Sequence, residues 1–160
     1  MVSDTSPLRA LSAVNLLPIL HTLYGEIVVP PAVAKELTVA VLGLPTIDVT
    51  RLEHVRVQIP TDTQQVTRLR ERLGEGESEA IALALETGAD ALLIDEAMGR
   101  RIAAGLGLHL VGVIGILLEA KQQGLIDRVG PLLDTLDASI TFRISAELRT
   151  HALKLAGEQP

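Results

Sequence analysis

Four short stretches carry the residues that can do chemistry: "MVSDTSPL", "AVAKEL", "GEGESEAIALA" and "ALLIDEA". Their acids are Asp4, Glu36, Glu77 with Glu75 and Glu79 beside it, and Asp95 followed by Glu96. Asp4 and Asp95 each close a short apolar run, and in open parallel α/β sheets ligands bind beyond the carboxyl ends of the strands. Carboxylates gathered there without a counter-charge repel one another and take up protons. A divalent cation removes that conflict, and ligation by oxygen alone, without His or Cys, suits Mg²⁺ or Mn²⁺. Each acid also has a plainer reading when taken singly. Asp4 and Asp95 suit turns or helix caps. Glu77 suits a first helical turn, where the dipole favours a carboxylate by ~0.3–1 kcal/mol. Glu36 reads as a solvated helix residue, and Glu96 as a helix-start carboxylate.

The elements that must position these acids are legible in outline. Runs rich in Val, Ile and Leu predict strands at Met1 to Ser3, Ile27 to Val29, Val55 to Ile59, Ala91 to Ile94 and Leu108 to Val111. Longer helical segments lie between them, the alternation expected of a parallel α/β sheet. In "EIVVPPAVAKEL", Pro31 suits the first turn of a helix, where its missing N–H costs nothing. Val39 to Asp62 carries Gly43, Pro45 and Pro60 and reads mostly as loop with one edge strand. "TDTQQVTRLRERLGEG" predicts a helix closing near Gly74 or Gly76. "ESEAIALALETGAD" predicts one buried on most sides. "EAMGRRIAAGLG" and "VIGILLEAKQQGL" follow as helices. The last thirty residues hold a helical segment around Leu132 to Leu136, then "SITFRIS", a helix from Ala146 to Ala156 capped by Ser145, and a "GEQP" tail expected to fray.

Composition sets outer bounds. The chain has 160 residues, 48% of them hydrophobic and 21% charged, which fits one ordered globular domain. Tyr24 and Phe142 are its only aromatics, so the core must be aliphatic and stacking on bases is expected to be nearly unavailable. Cysteine is absent, which excludes disulfides, zinc thiolates and cysteine nucleophiles and suggests a reducing cytoplasm. The opening residues show no basic n-region, and no apolar run approaches the roughly 20 residues of a membrane span, so no membrane is expected among the partners. A formal charge of −6 argues against a passive nucleic-acid binder; contact with nucleic acid would need cations as mediators.

The chain resembles the PIN-domain superfamily, and more narrowly its toxin-like branch, found in bacterial toxin–antitoxin pairs. The resemblance rests on "VSDTSPL", "LYGEIVVPPAVAKEL", "GEGESEAIALALETGADALLIDEAMGRRIA" and "VGVIGILLEAKQQGLI", in that order over most of Val2 to Ile126. It implies a three-layer α/β/α fold around a mainly parallel sheet, in a single domain with its core to about residue 126 and an extension over 127–160. By position, the family's acids fall on Asp4, Glu36, Glu77 and Asp95, with Glu79 competing for the third place. The hydroxyl that commonly follows the first acid would be Thr5 or Ser6. One departure is Val113, where related sequences often have Thr.

What the resemblance implies is Mg²⁺- or Mn²⁺-dependent hydrolysis of RNA by a toxin restrained by a protein antitoxin, with dimerisation expected. Asp4 and Asp95 would be the principal ligands, and Glu36 and Glu77 would complete the shell directly or through water. Arg100 and Arg101, one helical turn beyond Asp95, are placed either to hold phosphate or to form a solvated face. Arg68, Arg70 and Arg72 read as a solvated face. The competing readings are a PIN-like scaffold without activity and, more distantly, an aspartyl phosphatase. For the latter, "SDTSP" lacks the second Asp two residues on.

Overall fold

The computed structural model describes residues 1–138 and 142–159. Five strands form one parallel sheet: β1 (Val2–Ser3), β2 (Ile27–Val29), β3 (Val55–Val57), β4 (Leu92–Leu93) and β5 (Leu110–Val111). Their spatial order is β3-β2-β1-β4-β5. β1 therefore sits at the centre, with Val2 in register with Val28 on one side and Leu92 on the other. The chain runs outward from β1 to β3 and then returns to β1's other flank through β4. That reversal opens a crevice between the carboxyl ends of β1 and β4, the place where open α/β sheets take ligands. Asp4 follows β1 and Asp95 follows β4 by one residue.

Alternation along the strands builds two aliphatic cores. Ile27, Val29 and Leu93 point to one face, where they meet α1 (Thr5–Ala13), α2 (Ile19–Tyr24), α7 (Val113–Gln122), α8 (Gly130–Asp137) and α9 (Ala146–Leu155). Val2, Val28, Leu92 and Ile94 point to the other, against α4 (Thr63–Arg70), α5 (Glu75–Thr87) and α6 (Ala97–Gly105). Both faces of the inner strands β1, β2 and β4 are thus covered, which is why their runs read as continuously apolar, while the edge strand β3 leaves Arg56 and Val57 exposed. Helix α3 (Pro31–Thr38) places Val33 and Leu37 in the first core and packs against α5. The outcome is the three-layer α/β/α arrangement.

The strands are shorter than the apolar runs, because the flanking residues bond into loops or turn toward helices. The predicted helices are present, and Asp62 and Ser145 cap α4 and α9 by accepting from Gln65 N and Leu148 N. α4 stops at Arg70, earlier than Gly74. Of "SITFRIS", Ser139 to Thr141 lie outside the described residues, and Phe142 to Ser145 have no regular structure.

The expectation of a frayed "GEQP" is corrected at Glu158. Its side chain is only 8% exposed and accepts from Lys121 Nζ (2.6 Å), Val129 N (2.6 Å) and Gly130 N (3.0 Å). Burial alone would raise its pKa, but Lys121 and the two amides outweigh it and hold the carboxyl at about 2, below the ordinary 4.5. The carboxylate therefore ties the segment after α9 to α7 and to the start of α8. Glu158→Ala should cost about 2–3 kcal/mol, because it leaves two amides and an ammonium without their acceptor. Thermal melts should show a drop of roughly 5–10 °C at neutral pH. A lowered carboxylate stabilises above its unfolded pKa, so the difference from wild type should shrink as pH falls from 4.5 toward 2.

Candidate active site

Asp4 lies at the N-terminus of α1, immediately after β1, and is 2% exposed. Burial raises its pKa to about 7; the Thr5 and Ser6 amides pull it down, while the charges of Glu77 and Glu36 push it up. The crevice thus brings Asp4, Glu36 and Glu77 within electrostatic reach of one another, although they are far apart in sequence.

Glu36 is fixed from three sides. Thr5 donates its hydroxyl to Oε2, and Gly76 N donates to Oε1 at 3.0 Å from the first turn of α5. The buried Arg9 of α1 donates to the carbonyls of Glu36 (2.5 Å) and Val39 (2.8 Å) at the end of α3, the first of which also accepts from Val39 N. Glu36 is therefore not a solvated helix residue. Ser6 has a different place from Thr5: it borders the cleft that runs past Asp95.

The two candidates for the third acid separate. Glu79 accepts from Ala32 N (2.9 Å) in the first turn of α3. The two helices thus exchange carboxylates, Glu36 to the start of α5 and Glu79 to the start of α3. Glu77 reaches back toward Gly74 N at 3.4 Å through Oε2, while its Oε1 is buried without a hydrogen-bond partner. A buried carboxylate oxygen with no donor calls for a cation, a proton or water. Burial is the main cause of its raised pKa; Gly74 N lowers it, and Glu96 and Glu36 raise it further.

Asp95 is half-buried and accepts from Val113 N with both oxygens, at 3.1 and 3.4 Å. The N-cap of α7 is Gly112, which has no side chain, so Asp95 takes over its capping role from across the sheet. The Val113 departure costs nothing at this contact, because the amide makes it and any residue but proline supplies one. Burial raises the Asp95 pKa to about 6; Val113 N and Arg100 lower it, and Glu96 raises it. Arg100 donates to the Ile94 carbonyl at 2.6 Å, so one arm of its guanidinium braces the strand end.

Glu96 is a site residue that sequence reasoning set aside. It occupies the N-cap position of α6 but makes no side-chain cap hydrogen bond, and its charge acts on both Glu77 and Asp95. The adjacency in "IDEA" was the available signal. Arg9 was also missed; its only sequence signal is a charge on an otherwise apolar helix.

The donor set fits a hard divalent cation: carboxylate oxygens only, one of them buried and unpartnered, with the pKa of Asp4 and Glu77 raised by burial and by neighbouring carboxylates. Among the described residues, no three Asp, Glu or His side chains stand together as a ready-made cation cage. Asp4, Glu36 and Glu77 lie within one another's electrostatic reach, whereas the groups acting on Asp95 are Val113 N, Arg100 and Glu96.

Close approach by glycine makes room for these acids. A Cβ on Gly99 would stand 2.4 Å from Glu77 Oε1 and 2.6 Å from Ile94 Cδ1, and one on Gly76 would stand 2.7 Å from Glu36 Oε2. Gly99→Ala should therefore displace the Glu77 carboxylate, costing about 1–3 kcal/mol in stability, with a larger proportional loss in any function of the acids. A calorimetric melt beside an activity assay checks this; a variant with full activity would show that Glu77 need not stay where it is.

The raised carboxyls also set a pH dependence. The ordinary pKa of an Asp is 3.8 and that of folded Asp4 is about 7, so folding retains a proton that the unfolded chain releases between those values. Stability of the metal-free protein should fall as pH rises through that window, by about 2–3 kcal/mol from Asp4 between pH 5 and 7.5. Asp4→Asn should flatten the melting temperature against pH; an equally steep fall in the variant would show that Asp4 is not the cause.

Comparison with known proteins returns one match. The family model DUF3368, described as a PIN domain, covers residues 1–158. No curated protein and no solved structure matches. The match takes in every acid of the crevice and the elements that carry them, and PIN domains are in general metal-dependent nucleases. From the first strand to the anchored Glu158, the chain belongs to the PIN-domain family.

Proposed function

We propose that the protein is a Mg²⁺- or Mn²⁺-dependent ribonuclease, the toxin component of a toxin–antitoxin pair. The observation that carries the reading is the buried, unpartnered Oε1 of Glu77, a residue in electrostatic reach of Asp4 and Glu36. When bound, the metal would polarise a phosphoryl oxygen and help generate hydroxide from water. The chain's own residues do the rest.

Asp4 and Asp95, from the two central strands, are the principal ligands. Burial and hydrogen bonding fix them before any substrate arrives. Glu36 and Glu77 complete the shell directly or through water and orient the attacking water. Thr5 keeps Glu36 turned into the crevice. Arg100, braced on the Ile94 carbonyl, and Arg101, which has no anionic partner among the described residues, are placed to hold phosphate oxygens. Among the described residues, no helix is long and apolar enough to cross a membrane. The antitoxin and a homodimer come to the proposal from the family resemblance.

Wild type should hydrolyse RNA in Mg²⁺ or Mn²⁺ and not in chelator, and Asp95→Asn should lose at least about a hundredfold in rate. Cleavage of varied RNAs by the two proteins side by side checks this. Inertness of wild type with both metals would favour the scaffold reading. Undiminished cleavage by Asp95→Asn would remove Asp95 from the chemistry.

A further inference from the structure

Away from the acid crevice, the loop that follows α3 holds an aliphatic tip out into water. From Thr38 to Ile47 it carries no charge, and Val39, Val41 and Leu42 are 55%, 37% and 83% exposed. Single exposed aliphatic residues are ordinary, but a run of them marks a contact surface. The run is also shaped. Leu44 N donates to the Val41 carbonyl at 3.0 Å and closes a turn in which Gly43 has φ +78°, a conformation glycine adopts without strain. Gly43 has no side chain, so Leu42 stands alone at the apex. The buried Arg9 donates to the carbonyls of Val39 (2.8 Å) and Pro45 (3.5 Å), one on each side of the turn. A buried guanidinium thus fixes the base of a loop whose tip is apolar.

A hollow of about 230 Å³ lies at the amino ends of β2 and β3, walled by Leu8, Leu17, Leu20, Ile27, Leu52 and Val55. It is smaller than the roughly 300–1,000 Å³ of pockets built for small molecules. It is larger than the ~150 Å³ aliphatic cavity that accepts a benzene, so one or two aliphatic side chains match it. Its rim is formed in advance. The rings of His21 and His54 stack there, with centroids 3.3 Å apart and planes 8° apart, and His21 Nδ1 lies 3.2 Å from the Gly25 carbonyl. These contacts join α2 to the start of β3. The charged residues of the lining are Arg51 and Glu53, one of each sign.

We infer that the loop and the hollow are the two halves of one self-contact, in which Leu42 of each copy of the chain enters the hollow of a second copy. Charge favours this occupant. Two copies at −6 each repel, so they can meet closely only where neither presents net charge. The loop has no charged residue, and the two charges of the hollow's lining cancel. Position favours a closed pair. Leu8, in the wall of the hollow, and Arg9, which holds the loop, are consecutive in α1, and the chain passes from one feature to the other between Leu44 and Leu52. With the two features side by side, a two-fold axis between them makes the insertion reciprocal and leaves no free knob or hollow to recruit a third copy. The inference gives the homodimer of the proposed function its surface and rests on that reading for nothing else.

Sedimentation equilibrium of the full chain should give twice the 17.0 kDa of one copy. Leu42→Asp should weaken self-association at least about thirtyfold, as loss of a central anchor does. Leu106→Asp adds the same charge at another exposed leucine and should leave the dimer intact. Because the chain has no cysteine, introduced thiols report the contact directly. Under mild oxidation, Leu42→Cys combined with Pro18→Cys, an exposed position lining the hollow, should give disulfide-linked dimers, whereas either change alone should not. A wild-type monomer, a dimer that survives Leu42→Asp, or cross-linking by Leu42→Cys alone overturns the inference; the last would place the loops against each other. A ladder of linked species beyond the dimer overturns the closed pair. RNA cleavage measured on the same proteins separates the two proposals. A monomeric wild type that cleaves RNA sinks the self-contact and spares the nuclease, and a dimer with the expected cross-links that cleaves none does the reverse.

Discussion

Holding negative charge where water is scarce is the constraint on which the rest of this structure depends. Asp4 and Asp95 sit at the ends of the two most central strands, and Glu36 and Glu77 lean in from helices. Left alone, such a group would protonate or be pushed apart. The fold counters this with backbone amides at helix starts. Gly76 of α5 donates to Glu36, Val113 of α7 donates to Asp95, and Gly74, just before α5, donates to Glu77. Helix N-termini carry partial positive charge, so each contact supplies both a hydrogen bond and a favourable field. The pKa values show that the compensation is partial: Asp4 stays near 7 and Asp95 near 6. The protein retains an electrostatic deficit at the crevice, which a proton or a cation can fill.

That arrangement places demands far from the crevice. The amides must arrive at fixed points, so the helices that carry them must be locked against one another. The exchange between α3 and α5 does this locally, with Glu36 held by Gly76 and Glu79 holding Ala32. Arg9 adds a third tie from α1 to the end of α3, and it is buried because its work is on carbonyls rather than on solvent. α6 must come close enough to cover Glu77, which excludes any side chain at Gly99. The aliphatic cores above and below the sheet supply the rigidity that these contacts assume.

The sequence revealed most where one residue type had one physical use. Val, Ile and Leu runs fixed the strands because a strand covered on both faces must be apolar throughout. "PPAVAKEL" fixed the start of α3 because proline fits only there. Asp4, Glu36, Glu77 and Asp95 were legible as candidates by position within motifs. Local pattern could not distinguish Glu77 from Glu79, since both sit near the start of one helix; only the approach of α3 shows that Glu79 is occupied by Ala32 N. Nor could it place Glu96, whose N-cap position suggests a bond that its side chain does not make. Glu158 fails for a related reason. A polar tail near a C-terminus looks frayed until three donors from α7 and α8 are found around its carboxylate.

On the proposed reading an acidic chain handles a polyanion, a contradiction only when charge is averaged. Here Asp4, Glu36 and Glu77 act on one another beyond the end of β1, and Asp95 and Glu96 stand together beyond the end of β4. Of the cations in no ion pair among the described residues, Arg100, Arg101 and Arg143 line the adjoining cleft, whereas Lys35, Arg68, Arg72 and Lys154 lie elsewhere. Screening limits exposed charges to about 8–10 Å of influence at physiological salt, so distant surface acids contribute little at the cleft. On the proposed reading, what a strand of RNA would meet is therefore local: Arg100, Arg101 and Arg143 interleaved with Glu96 and Glu119 along the cleft, and the proposed ligand acids where a metal stands between them and the phosphate. On this reading net charge and substrate charge need not be opposite, because the bridging cation inverts the sign of the field at the one place where strand and acids must meet.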